Sequence, residues 1–143
     1  MVLTLRDIQV EDAVTAAELS AQFGYPVNKT VMEERIQRLT RDSHTVIVAC
    51  NNEAVVGWID VGVVEHLQSG VYAEIGGLVV SEVCRSQGIG ARLVEAAEQW
   101  ALERGVIRIV VRSQMAREAA HRFYRRQGYA QTKTSAVFAK VLH

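Results

Sequence analysis

Three features between residues 71 and 104 could do chemistry. Glu74 is a lone acid inside an apolar, strand-like run, 71–80. Gly76-Gly77 interrupts the same run. A loop, Arg85-Ser86-Gln87-Gly88-Ile89-Gly90, then opens directly into an amphipathic helix. The loop's chemistry is anion binding: amides at a helix start point outward, the helix dipole favours negative charge, and glycine lets a ligand approach the main chain. A phosphate suits such a cradle. Two nucleotide patterns are disfavoured. The Walker loop needs Gly-Lys-Ser/Thr, and no such lysine follows; the dinucleotide fingerprint needs a third glycine where Leu93 stands. Glycines inside a strand predict a bulge or a close backbone approach at 76–77.

The elements that must position these residues follow from periodicity. Residues 2–8 alternate weakly and read as a first strand. Asp12 opens a helical run that Gly24-Tyr25-Pro26 ends, and Asn28 is placed to cap a second helix with Val31, Ile36 and Leu39 inward. His44 to Cys50 is β-branched and almost wholly apolar, a strand buried on both faces. Strands at 54–65 and 71–80 follow across short turns, so these three strands form an antiparallel meander. A helix over 89–104 places Leu93, Val94, Ala97, Trp100 and Ala101 inward and stops at Gly105. Residues 106–111 read as a fifth strand, parallel to the fourth across the helix. A helix over 116–127 and strands at 129–133 and 135–142 complete the pattern.

The whole chain sets outer bounds. Its 143 residues suit one domain, 1–143, and 49% hydrophobic against 22% charged residues supports a core. Sixteen basic and sixteen acidic residues balance, so no overall field recruits nucleic acid or a membrane surface. Cys50 and Cys84 lack metal-ligand spacing and read as reduced thiols of a cytoplasmic protein; Cys84 beside the loop is structural. Met1 to Val10 contains Arg6 and Asp7 and no long apolar run, so neither a signal peptide nor a spanning helix is expected.

Arg85-x-x-Gly88-x-Gly90, preceded by Leu78-Val79-Val80 and, eleven residues before the arginine, by Glu74, resembles the acetyl-CoA-binding core of the GNAT family of N-acetyltransferases. A second stretch, Ser113 to Tyr129 (SQMAREAAHRFYRRQGY), is similar to the family's C-terminal motif, a helix with an Ala-His-Arg-Phe-Tyr run ending before Gly-Tyr. Two matches in the right order carry more than either alone, and the resemblance is strongest over 71–129. It implies an α/β fold: a mixed, mostly antiparallel sheet of about seven strands, helices on both faces, and the fourth and fifth strands parallel and splayed. It also implies transfer of an acetyl group from acetyl-CoA, as co-substrate and without a metal, to a primary amine by direct attack in a ternary complex. The rival is a non-catalytic acetyl-CoA-binding or regulatory module. Retention of Glu74 and Tyr124 favours the enzyme.

The resemblance assigns roles residue by residue. The backbone of Leu78, Val79 and Val80 would bind the pantetheine arm, with one amide facing the acetyl oxygen. Arg85, Ser86, Gln87, Gly88, Ile89 and Gly90, with Ala91, would hold the pyrophosphate. Gln114 stands where relatives commonly have asparagine touching the cofactor. Tyr124 matches the general acid, a phenol with a pKa near ~10 that is protonated at neutral pH. Glu74 matches the general base of some members; burial would raise its pKa, whereas a neighbouring cation would engage it instead. Asp60, His66 and His121 are the alternatives for that base. Of the basic residues Arg117, Arg122, Arg125 and Arg126, most read as a solvated face, and one meets the 3′-phosphate. The amine acceptor, a small molecule or a protein amine, belongs between the helices of 12–41 and the third and fourth strands, where Phe23, Tyr25, Trp58 and His66 either line it or pack. A homodimer through Trp58 and the C-terminal strands is left open.

Overall fold

The computed structural model describes residues 2–113 and 117–143. They fall into two compact units divided after Arg112.

The first unit contains β1 (Leu3–Asp7), α1 (Ala13–Gln22), α2 (Lys29–Leu39), β2 (His44–Asn51), β3 (Ala54–His66), β4 (Gly70–Val80), α3 (Ile89–Glu103) and β5 (Ile109–Val111). The five strands lie in one sheet in chain order. β1 to β4 pair antiparallel, and β5 runs parallel to β4, as the strand–helix–strand spacing requires. The chain is thus a mixed α/β fold. Asn28 caps α2 as expected, its Oδ1 accepting from Val31 N–H at 2.8 Å.

Alternation along the strands sends side chains to two helical layers. On one face α3 covers the sheet, and Ile59, Val61, Ile89, Leu93 and Val94 are almost fully buried. On the other, α1 and α2 cover a cluster of Ile8, Ala13, Ala16, Ile36, Val46, Val48 and Cys50, with Trp58 and Met32 against it. β2 lies between the layers and is buried along its interior, as its continuous apolar run predicts.

A charge pair ties β1 to the start of α1. Arg6 Nη1 and Nη2 donate to Asp12 Oδ2 and Oδ1 at 2.8 and 2.9 Å, and the Gln9 amide donates to Oδ2 at 2.8 Å. The Arg6 hydrogen bond holds the Asp12 carboxyl below its ordinary value of 3.8, against the opposing effect of burial. A carboxyl depressed in the folded state contributes stability that is present above the unfolded value and lost as pH falls through the folded one. Asp12→Ala is therefore expected to cost about 2–3 kcal/mol at neutral pH, the scale of hydrogen bonds to a charged group. The deficit should shrink as pH drops below about 4. Urea unfolding of both proteins at neutral and acid pH checks this; a deficit equal at both would remove the electrostatic account.

Two sequence expectations change. β5 spans three residues rather than 106–111. Gly105 turns left-handed (φ +73°) after α3, and the Val106 amide donates back to Ala101 O at 3.0 Å. The helix cap thus takes the donor that a longer strand would use. The strands expected at 129–133 and 135–142 do not form, so among the described residues the sheet has five strands instead of about seven. Apolar alternation makes a strand only where a neighbouring chain accepts its ladder. No strand is described beyond Val111, and Val137, Phe138, Val141 and Leu142 are 82–93% exposed.

The second unit is built on α4 (Glu118–Arg126), closed by Gly128 at φ +91°. Phe123 and Ala120 are half-buried, whereas Ala119, expected inward, is exposed; Ala116 lies outside the described residues. Among the described residues no helix is long and apolar enough to cross a membrane.

Candidate functional site

β4 carries the first part of the site. Its register with β3 slips between Asp60 and Val61: Asp60 faces Gly77 and Val61 faces Ile75, leaving Gly76 unmatched. This is the bulge that the glycine pair predicts. Pairing with β5 ends at the same place, the last matched residues being Ile75 and Val111. Beyond Ile75, residues 76–80 have no strand on that side among the described residues, so those of their main-chain groups that do not pair with β3 lack a ladder partner there. Leu78 and Val80 are half-buried, and Val79 is buried.

The loop carries the second part. A single turn of 3₁₀ helix, Glu82–Cys84, leads to Ser86 at φ +66° and Gly88 at φ +79°, and α3 begins immediately. No side chain caps it. The first intrahelical bond is Arg92 N to Gly88 O, so the amides of Ile89, Gly90 and Ala91 have no partner within the helix. Arg85, Ser86, Gln87 and Gly88 are exposed, so the turn is not sealed beneath side chains. The Ile89 side chain is an anchor, buried in the core, and only its amide can serve a ligand. The Arg85 guanidinium stacks 4.7 Å from the Phe23 ring, and the Glu82 amide donates to Gln22 Oε1 at 3.1 Å. The end of α1 therefore buttresses the loop. Such an arrangement can bind a phosphorylated carrier whose extended arm lies along β4.

Glu74 is half-buried and ion-paired: Arg112 Nε donates to Oε1 at 2.9 Å. The carboxylate holds Arg112 above its ordinary value. The neighbouring cation is thus present. Tyr124 belongs to the second unit. Its ring meets Phe123 edge-on at 5.1 Å and Tyr129 at 5.8 Å. Burial pushes its phenol above the ordinary value of 10.0, with Arg117 pulling weakly the other way. Gln114 lies outside the described residues.

A cavity of about 130 Å³ lies between α1/α2 and the sheet, where the acceptor was expected. Trp58, Asp60, Ser20 and Arg35 are the lining residues with polar side-chain atoms, and Met32 and Ile36 are among the apolar ones. Of the four acceptor candidates, Trp58 alone lines it. His66 instead hydrogen-bonds the Tyr72 hydroxyl at 3.1 Å, Phe23 serves Arg85, and Tyr25 is exposed. Sequence reasoning gave His44 no role beyond opening a strand; its imidazole is hydrogen-bonded to Asp60.

The family model described as the acetyltransferase (GNAT) family matches residues 13–129. An aminoalkylphosphonate N-acetyltransferase from Salmonella typhimurium is 37% identical over 86 residues, covering 59% of this chain and 56% of that protein. The match thus spans about half the length of that relative. Among solved structures, one described as a transcriptional regulator from Bacillus halodurans superposes with a TM-score of 0.87 at 25% identity, covering 97% of this chain and 100% of that one. An aminoglycoside 6'-N-acetyltransferase from Acinetobacter baumannii gives 0.85 at 16% identity, covering 99% and 100%, and shares the fold.

Proposed function

We propose, from the premise that this chain belongs to the GNAT acetyltransferase family, that it moves the acetyl group of acetyl-CoA to a small primary amine by direct attack in a ternary complex. One observation carries the reading: the β4 edge is free of β5 beyond Ile75, and the turn and loop that follow that strand end in an uncapped helix start. Main-chain groups of Leu78, Val79 and Val80 would pair with the pantetheine arm, one amide stabilising the oxyanion as the amine adds. The amides of Ile89, Gly90 and Ala91, with the loop Arg85–Gly88, would take the pyrophosphate. Tyr124 would donate a proton to the departing sulfur, a task that a phenol kept protonated by burial suits. Glu74, fixed by Arg112, would contribute negative charge near the acceptor ammonium. The cavity beneath α1 and α2 fits a small amine, and the Salmonella relative, named for aminoalkylphosphonates, suggests one that also bears an acid.

The second reading, an acetyl-CoA-binding module without turnover, draws on the Bacillus halodurans neighbour, whose description is regulatory. Thiol release from acetyl-CoA separates the two. The panel of amines includes 2-aminoethylphosphonate, ethanolamine and a lysine peptide. Release that depends on one of the small amines is the expected result. Tight CoA binding with no release for any amine would favour the binding module.

A further inference from the structure

A polar pair stands on the α1/α2 face of the sheet. His44 Nε2 is hydrogen-bonded to Asp60 Oδ1 across the β2–β3 pair, with side chains 18% and 24% exposed. Three glycines make room for this corner. A Cβ at Gly62 would overlap the His44 ring, one at Gly76 would stand 3.1 Å from Asp60 Oδ2, and one at Gly77 3.1 Å from the Trp58 ring. Asp60 sits opposite Gly77, at the bulge where β4 parts from β5, and it lines the acceptor cavity. In the same wall, Trp58 Nε1 is shielded from solvent and has no hydrogen-bond acceptor among the described residues. A carboxylate with an imidazole behind it, placed between an amine-sized cavity and the opening for the thioester arm, is positioned to move a proton.

We propose that Asp60, backed by His44, takes the proton from the acceptor ammonium; this rests on the acetyltransferase reading above. The ammonium gives one proton to Asp60, whose carboxylate becomes a carboxylic acid while His44 Nε2–H goes on donating to its other oxygen. The pair's net charge goes from −1 to 0, so no isolated charge is created in a half-buried place. The freed nitrogen lone pair forms the C–N bond, and the C–S bond breaks with its electrons going to sulfur. The sulfur takes a proton from Tyr124. The second proton lost from nitrogen restores Tyr124, and the pair returns its own proton to water. Glu74 is less suited, because Arg112 already occupies one of its oxygens and it is not among the residues that line the cavity. Other charged groups stand near this corner among the described residues. Arg35 of α2 lies in the cavity wall, and Glu74 with Arg112 stands in the neighbouring cross-strand row. α1 contributes Ala16 and Ser20, neither charged.

The test is the pH profile of kcat/KM for an amine that the parent enzyme acetylates, under saturating acetyl-CoA, for Asp60→Asn, His44→Gln and Glu74→Gln. Glutamine can still donate a hydrogen bond to Asp60 but, unlike imidazole, cannot become a cation beside it. Asp60→Asn is expected to lose at least about tenfold at neutral pH, with the loss shrinking as the free amine becomes abundant at alkaline pH. CoA affinity should stay at the parent value. His44→Gln is expected to move the acid limb of the profile, a change that a merely structural histidine would not produce. Should Asp60→Asn fail to fold, His44→Gln alone decides. A profile for His44→Gln that overlays the parent's overturns the proposal, as does an Asp60→Asn loss equal at every pH. A larger, pH-dependent loss in Glu74→Gln with Asp60→Asn near the parent also overturns it. A parent protein inert to every amine is a different failure, that of the acetyltransferase reading itself.

Discussion

Replacing Tyr124 with phenylalanine is expected to lower kcat by about 10²–10³-fold, within the range of a lost general acid. The change removes one oxygen and leaves the ring, so the edge contacts with Phe123 and Tyr129 survive and α4 should fold as before. The proton is what disappears, and a poor leaving group must then depart as a bare thiolate. Because the main chain of β4 and α3 holds the carrier in this reading, the dissociation constant for CoA should not change. The raised phenol adds a second signature. Its acid form should persist beyond pH 10, so the parent's kcat should show no alkaline fall from loss of this proton below about pH 10. Stopped-flow thiol release and CoA titration measure both. Equal turnover in mutant and parent would remove Tyr124 from the chemistry.

Gly88→Val acts on the other half of the reaction. Nothing stands within 4 Å of a Cβ at this position, so the free protein has space for the side chain. The backbone does not: φ is +79°, and a β-branched residue there costs about 1–3 kcal/mol of strain. The exposed loop can relieve that strain by moving, which turns the amides of Ile89, Gly90 and Ala91 away from their common target. Added bulk also screens the approach to them. Affinity for CoA is expected to fall about 10–100-fold, since each 1.4 kcal/mol is a factor of ten. Calorimetric titration of CoA measures this; an unchanged constant would remove the cradle from the account. Gly88→Ala, with the same φ but less bulk, should fall between the two.

Much of this was legible because it depends on local rules. The bulge at Gly76, the cap at Asn28, the left-handed turn at Gly105 and the parallel β4–β5 pair all follow from residue type and spacing. The extent of β5 was not legible, because the helix cap and the strand compete for one donor at Val106. The final strands were not legible either: alternation at 135–142 states a preference, whereas a ladder needs a partner that periodicity does not name. In the site, the glycine loop reads directly, but His44 and Asp60 lie sixteen residues apart and meet only through the register of two strands. Their signal was indirect. Gly62, Gly76 and Gly77 interrupt strands at the places where His44, Asp60 and Trp58 need room, and glycines scattered over one sheet face reveal a shared corner only once the strands are aligned.

The unmatched run of β4 past Ile75 has a consequence for the life of the protein without its substrate. A bare strand edge invites pairing with whatever extended chain it meets, including that of another molecule. Under the proposed function the acetyl carrier fills that edge as a surrogate strand, so the donor also completes the fold. Native molecules then gain stability by mass action, about 2.7 kcal/mol when the carrier stands at a hundred times its dissociation constant. Solubility and resistance to unfolding would therefore track the supply of acetyl-CoA, and starvation for the donor would leave this protein prone to self-association as well as idle.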